Sequence, residues 1–83
     1  LQPNVPNPFN PLTRIRFSLA RQQHVVLQIF NMRGQNIATL ADGFFTSGSH
    51  TVVFDGKDLS SGIYLCRLDN GRYVESRKML LIR

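Results

Sequence analysis

The side chains able to carry chemistry are few: two histidines (His24 and His50), one cysteine (Cys66), five acids and several serines in 83 residues. None is arranged for catalysis. No serine sits in a Gly-x-Ser-x-Gly turn, the strained geometry that lifts a nucleophile above a sheet. The histidines show neither His-x-His nor His-x-x-x-His spacing, so they make no local metal pair. His24 opens an apolar alternation and His50 lies within another. Both read as strand-end or packing residues. Cys66 has no partner for a disulfide and cannot build a cysteine zinc site alone. It reads as a small packing residue in mid-strand. Asp55 and Asp58 are close in sequence, but the long acidic loop of a calcium hand is missing. Asp55 is expected to shape a tight turn, and Asp58 to cap the next one by side-chain-to-backbone hydrogen bonds. No glycine-rich phosphate loop is present. The expectation is a non-enzyme without cofactor or metal.

The formal charge is +5. Such a balance attracts anionic partners at long range; plain solubility is the competing reading. The basic residues are dispersed, and only Arg77-Lys78 is a pair. A nucleic-acid binder more often carries a dense basic stripe with interleaved aromatics, so no nucleic-acid partner is expected. No apolar run approaches the roughly 20 residues a membrane-spanning helix needs.

The elements that would position these groups follow from period-two alternation. Residues 1–11 hold all four prolines: Pro3, Pro6, Pro8 and Pro11. Proline lacks an N–H and fixes φ, so this stretch reads as a stiff, extended, proline-rich arm anchored by Phe9. Residues 12–83 read as the folded domain. Ile15, Phe17 and Leu19 alternate with Arg14, Arg16 and Ser18; Val25, Leu27 and Ile29 follow in a second strand. Ile37 to Leu40 reads as a short strand. A loop bracketed by Asp42-Gly43 and Ser47-Gly48 then holds Phe44 and Phe45. His50, Val52 and Phe54 alternate, Asp55-Gly56 ends that strand, and Ile63 to Leu68 forms the next. Asp69-Asn70-Gly71 is a strong hairpin signal, because Asn and Gly accept positive φ. The last strand, about Tyr73 to Ile82, is apolar on both faces and is expected between two neighbours. No sustained helical spacing exists. The predicted fold is therefore an all-β, immunoglobulin-like antiparallel β-sandwich of about seven short strands.

The ordered pattern is more specific than any piece of it. Pro6-Asn7-Pro8-Phe9-Asn10-Pro11, followed by Thr13, Ile15 and Phe17, resembles the start of the type A C-terminal sorting domain of bacterial type IX (Por) secretion. The resemblance continues through Val25, Leu27, Ile29, Phe30, Asn31 and Gly34-Gln35, then Thr39-Leu40 and Gly43. Gly48, His50, Val52, Phe54, Asp55, Gly56 and Asp58 match a Gly-x-His-x-Val-x-Trp-Asp-Gly-x-Asp stretch. Ser61, Gly62, Tyr64, Arg67 and Leu68 match Ser-Gly-x-Tyr-x-x-Arg-Leu. Lys78, Met79, Leu81, Ile82 and Arg83 match a basic and apolar ending. Val5, Phe54 and Cys66 stand where Tyr, Trp and an aromatic are common in the family.

The resemblance implies a sorting signal covalently part of a larger cargo protein. The cargo would pass through the periplasm and reach the cell surface or medium through an outer-membrane translocon. A sortase-like protease would then remove the domain. The chain itself begins with Leu1 and reads as a piece of that longer protein, whose export leader would lie elsewhere. Residues that the resemblance marks for recognition are Pro6, Asn7, Pro8, Phe9, Asn10, Pro11, Gly62, Tyr64, Arg67, Lys78, Met79, Leu81 and Arg83. For Gly62, Tyr64, Met79 and Leu81 a folding role competes, since apolar strand positions are usually core. For Asn7, Phe9 and Asn10 a structural clasp competes equally, with Phe9 buried and the asparagines closing turns. Two other classes stand beside this reading. A carbohydrate-binding module would need an exposed aromatic platform from Phe44, Phe45 and Tyr73. A structural assembly domain, like the immunoglobulin-like domain of the flagellar hook cap, would associate with itself or a filament, and an open edge strand would permit such homo-association.

Overall fold

The computed structural model describes residues 1–83 and contains strands only. They are β1 (Leu12–Leu19), β2 (Gln23–Asn31), β3 (Asn36–Phe45), β4 (Gly48–Asp55), β5 (Gly62–Asp69) and β6 (Val74–Leu81). Two antiparallel sheets form, one of order β1-β4 and one of order β3-β2-β5-β6. Alternation decides which side chains meet between them. β1 contributes Ile15, Phe17 and Leu19, β2 Val25, Leu27 and Ile29, β4 Phe54, β5 Tyr64, Cys66 and Leu68, and β6 Met79 and Leu81. Each of these is buried because a period of two sends every second side chain to the same face.

This strand order matches one sheet of the immunoglobulin sandwich extended by its C′ strand, facing a smaller sheet. A local feature supports the assignment. The Tyr64 hydroxyl donates to the Ser60 carbonyl at 2.7 Å, four residues upstream and two residues before Cys66. That is the tyrosine corner of such sandwiches, which pins the loop between the sheets to the strand that follows. Tyr64→Phe removes one hydrogen bond and is expected to lower the unfolding free energy by about 1 kcal/mol in urea titration. An unchanged midpoint would show that the corner contributes nothing to stability.

There are six strands rather than about seven. The seventh extended segment is the arm, which makes only isolated bridges, Val5 with Arg14 and Phe9 with Leu81. The arm does not run straight away from the domain. Gln2 N–H donates to the Arg16 carbonyl, while Val5 and Arg14 exchange both main-chain bonds, at 2.9–3.0 Å. Farther on, Phe9 N–H donates to Leu80 O and Phe9 O accepts from Ile82 N–H. The arm thus edges the small sheet along β1, then crosses to edge the large sheet along β6. Proline punctuation explains why it makes bridges and not a ladder: prolines at positions 3, 6, 8 and 11 have no N–H to donate.

Two strands differ from the sequence expectation. β6 is an edge strand, not a central one, and only the arm lies beyond it. Its second apolar face, Leu80 and Ile82, is exposed. β3 is ten residues long and includes the stretch expected to be a loop: Phe44 pairs with His24 and Phe45 with Gln23. Two register shifts along β2 absorb the mismatch in alternation, so Asp42-Gly43 continues the strand instead of turning it. The turn falls at Thr46-Ser47, before Gly48 with φ +108°.

Hairpin chemistry follows the sequence reading at the β5–β6 turn. The Asn70 side-chain oxygen accepts from the Arg72 and Tyr73 N–H groups, Asp69 accepts from Gly71 N–H, and Gly71 takes φ +90°. Asp55 likewise accepts from Lys57 N–H at 2.9 Å. Asp58, expected to cap the next turn, makes no hydrogen bond; Leu59 N–H is satisfied by the Gly56 carbonyl instead.

Candidate functional site

Asn7, Phe9, Gly62, Tyr64, Lys78, Met79 and Leu81 lie where the arm, β6 and the start of β5 meet, whereas Arg67 sits near the end of β5 against β2 and Pro6 lies beside Thr13 and Val53. They divide by burial. Phe9, Tyr64, Met79 and Leu81 are core, each at most 6 % exposed. They hold the surface and cannot themselves touch a partner while the domain is folded. Phe9 lies against Phe54, with ring centroids 6.1 Å apart. Gly56 fits the close approach above them: a Cβ there would stand 3.2 Å from Leu81 Cδ2 and 3.4 Å from Phe9 Cε2.

A buried polar knot fastens the arm. Asn4, 4 % exposed, donates from Nδ2 to Pro6 O at 3.1 Å and to Thr13 Oγ1 at 3.0 Å. The Thr13 hydroxyl in turn donates to Pro6 O at 2.8 Å. Asn4 escaped the sequence reading, which anchors the arm through Phe9. An isolated polar residue carries no periodicity that would flag it as buried.

Asn7 does at the β6 edge what a neighbouring strand would do. Its Oδ1 accepts from Leu80 N–H at 3.0 Å and its Nδ2 donates to Lys78 O at 3.4 Å. The side-chain amide copies a peptide group and closes part of an edge that would otherwise invite strand addition. Pro6 and Pro8 are exposed beside it, as is Asn10, and Pro11 is half-buried with its carbonyl accepting from Gly56 N–H.

The basic candidates behave differently from one another. The Lys78 side chain is exposed and makes no ion pair. Arg67 is tied down: its guanidinium lies 4.4 Å from the Phe30 ring centroid and Nη2 donates to Gln28 Oε1 at 3.1 Å. Arg83 turns back onto the β4–β5 loop, donating from Nη1 to the carbonyls of Lys57 and Leu59, while its N–H donates to Ser61 Oγ. It clasps that loop. Gly62, at φ +154°, lets the backbone leave the loop and enter β5 in a conformation side-chain-bearing residues rarely adopt.

The feature that sequence reasoning missed is the outer face of the large sheet. Register places Phe30 beside Leu65, Leu65 beside Lys78, and Ile63 beside Leu80. Ile63 is 42 % exposed, Leu80 38 % and Ile82 49 %. Together with half-buried Phe30 and Leu65 they form an apolar patch rimmed by Lys78, Arg67 and Asn7. The double-faced apolarity of the last strand was the signal for it, read as a neighbour on each side rather than as an open face.

The two histidines and Cys66 lie apart from one another, on β2, β4 and β5. His50 stacks on Phe17 at 5.4 Å, lies edge-on to Phe45 and bonds the Thr46 carbonyl at 2.7 Å. His24 sits 3.1 Å from Asp42 on the sheet surface. Burial pushes the Cys66 thiol up to about 12, so it stays protonated and inert at neutral pH. An open cleft of about 510 Å³ lies between the β2–β3 turn and the β4–β5 loop, bordered by Met32, Arg33, Asp58, Ser60, Ser61 and Ile63. It contains no nucleophile–base pair. Phe44 and Tyr73 are exposed on separate elements and Phe45 turns inward onto Phe17, so the three aromatics form no single platform.

The fold is an immunoglobulin-like β-sandwich that exposes an apolar patch beside a sheet edge partly closed by the arm. Comparison with known families makes this specific. Residues 5–83 match the family model described as "Secretion system C-terminal sorting domain". The chain belongs to that family, and is the sorting signal of a type IX secretion cargo protein bound for the cell surface or the medium. The family is one of signals and is not known for enzymes. No curated protein and no solved structure matches the chain.

Proposed function

We propose that the outer-membrane translocon reads this domain in its folded state, through the outer face of the β3-β2-β5-β6 sheet and the arm-covered β6 edge beside it. The carrying observation is the exposed cluster of Ile63, Leu80 and Ile82 next to Lys78 and Asn7. A contiguous apolar patch on a domain this small has a free-energy reason to be covered, and the cations at its rim orient an acidic partner. Phe9, Tyr64, Met79 and Leu81 act through it by packing β5 and β6 onto the core and keeping the arm seated. Asn7, Lys78 and Arg67 form its border, and Pro6, Pro8, Asn10, Pro11 and Arg83 contribute through the arm and the chain end that flank it.

In this reading the cargo waits folded in the periplasm, the domain docks, and a sortase-like protease afterwards separates the two. The domain catalyses nothing and needs no cofactor. Because the arm is bonded to both sheets, the protease acts on the cargo side of the paired segment and not within it.

A reporter tests this. Residues 1–83 are fused behind a periplasmic fluorescent protein in a bacterium with type IX secretion and in its translocon-deficient mutant. Export from the first and retention in the second is the expected result, with the released reporter shortened by the mass of the domain. Retention of a well-folded fusion in both strains would overturn the reading.

A further inference from the structure

The opposite side of the sandwich carries a second surface that sorting leaves unexplained. On the outer face of the small sheet, Val5, Arg14 and Val53 lie in one row across the arm, β1 and β4. Leu12 and Arg16 flank Arg14 along β1. The three aliphatic side chains are widely exposed: Val5 64 %, Leu12 50 % and Val53 57 %. Neither arginine is in an ion pair. The one acid on this face is Asp55, opposite Leu12, whose carboxylate is occupied by the Lys57 N–H. Shallow hollows lie on both sides of Arg14, one beside Val53 and Leu12 and one beside Val5 and Arg16.

We propose that this face binds an anionic lipid bilayer, with Arg14 and Arg16 on headgroup phosphates and Val5, Leu12 and Val53 entering the headgroup boundary. Charge complementarity selects the occupant. Two adjacent unpartnered guanidiniums on a chain of net charge +5 call for negative charge. The aliphatic side chains interleaved with them distinguish a membrane from a soluble polyanion, which has no apolar layer to receive them. Arginine suits the phosphate because its planar fork makes paired hydrogen bonds. The face is also geometrically free, since it points away from the sheet proposed to meet the translocon.

Flotation of the 83-residue chain with vesicles tests the idea, comparing phosphatidylglycerol–phosphatidylcholine mixtures with pure phosphatidylcholine. Binding is expected only to the anionic vesicles and to weaken with salt. Each basic residue at such a surface is worth roughly fivefold, so R14Q/R16Q should lose roughly 25-fold. L12S/V53S should lose roughly tenfold through lost apolar burial. The matched pair R72Q/K78Q, away from this face, should lose far less. As an independent readout, tryptophan emission of L12W should shift to the blue on anionic vesicles while that of I63W does not. Equal losses from the two charge-removing pairs would show attraction by net charge alone and overturn the proposal. So would full binding by L12S/V53S, equal binding to soluble polyglutamate, or no binding to anionic vesicles at all.

Discussion

Phe9→Ala is expected to destabilise the whole domain, not merely to loosen its arm. Phe9 is 2 % exposed and packs on Phe54, while its main chain bonds both Leu80 and Ile82. One residue therefore joins the arm, β6 and the end of β4. Truncating a buried Phe costs about 3–5 kcal/mol, because the cavity closes only in part. A domain of this size has a total stability of only about 4–12 kcal/mol. Cys66 offers the measurement. At 1 % exposure, with burial holding its thiol protonated, it reacts with iodoacetamide only in open states. The labelling rate at neutral pH should rise roughly a hundredfold or more in the variant, since each 1.4 kcal/mol is about a factor of ten. A labelling rate like that of the parent chain would mean that the arm is decoration and the sandwich stands without it.

The second large effect separates folding from recognition. Ile63→Ser with Leu80→Ser alters two exposed side chains of the large sheet and no core contact. Each surface substitution is expected to change stability by only about 0.5 kcal/mol. Export of the reporter fusion should nevertheless fall at least tenfold, with the protein accumulating folded in the periplasm. Normal export by a folded I63S/L80S variant would remove this face from the recognition surface and return attention to the arm edge. Deleting residues 78–83 is a weaker experiment. It removes Met79 and Leu81, both 1 % exposed or less, along with the β6 backbone that holds Phe9. Lost export would then follow from unfolding alone.

These contrasts follow from what each level of structure controls. Alternation in β1 and β2 is local: Ile15, Phe17, Leu19, Val25, Leu27 and Ile29 were legible as one buried face because side-chain direction repeats every two residues. The Asp69-Asn70-Gly71 turn and the Asp55 turn were legible for a similar reason, since each is closed by side-chain-to-backbone bonds within two or three residues. The ordered motifs from Pro6 to Arg83 marked the family.

Long-range pairing was not legible. Whether β6 lies at the edge or the centre depends on which strands lie beside it, and apolar residues on both faces fit either a covered strand or an exposed docking face. The length of β3 depended on register shifts in its partner β2 that let Asp42-Gly43 stay extended. The arm shows the difference most clearly. Its prolines determine by their own geometry that it cannot be a helix or a central strand. Phe9 was legible as its anchor, but only the folded sandwich, by presenting the open edges of β1 and β6, decides that the arm bonds both sheets and buries Asn4.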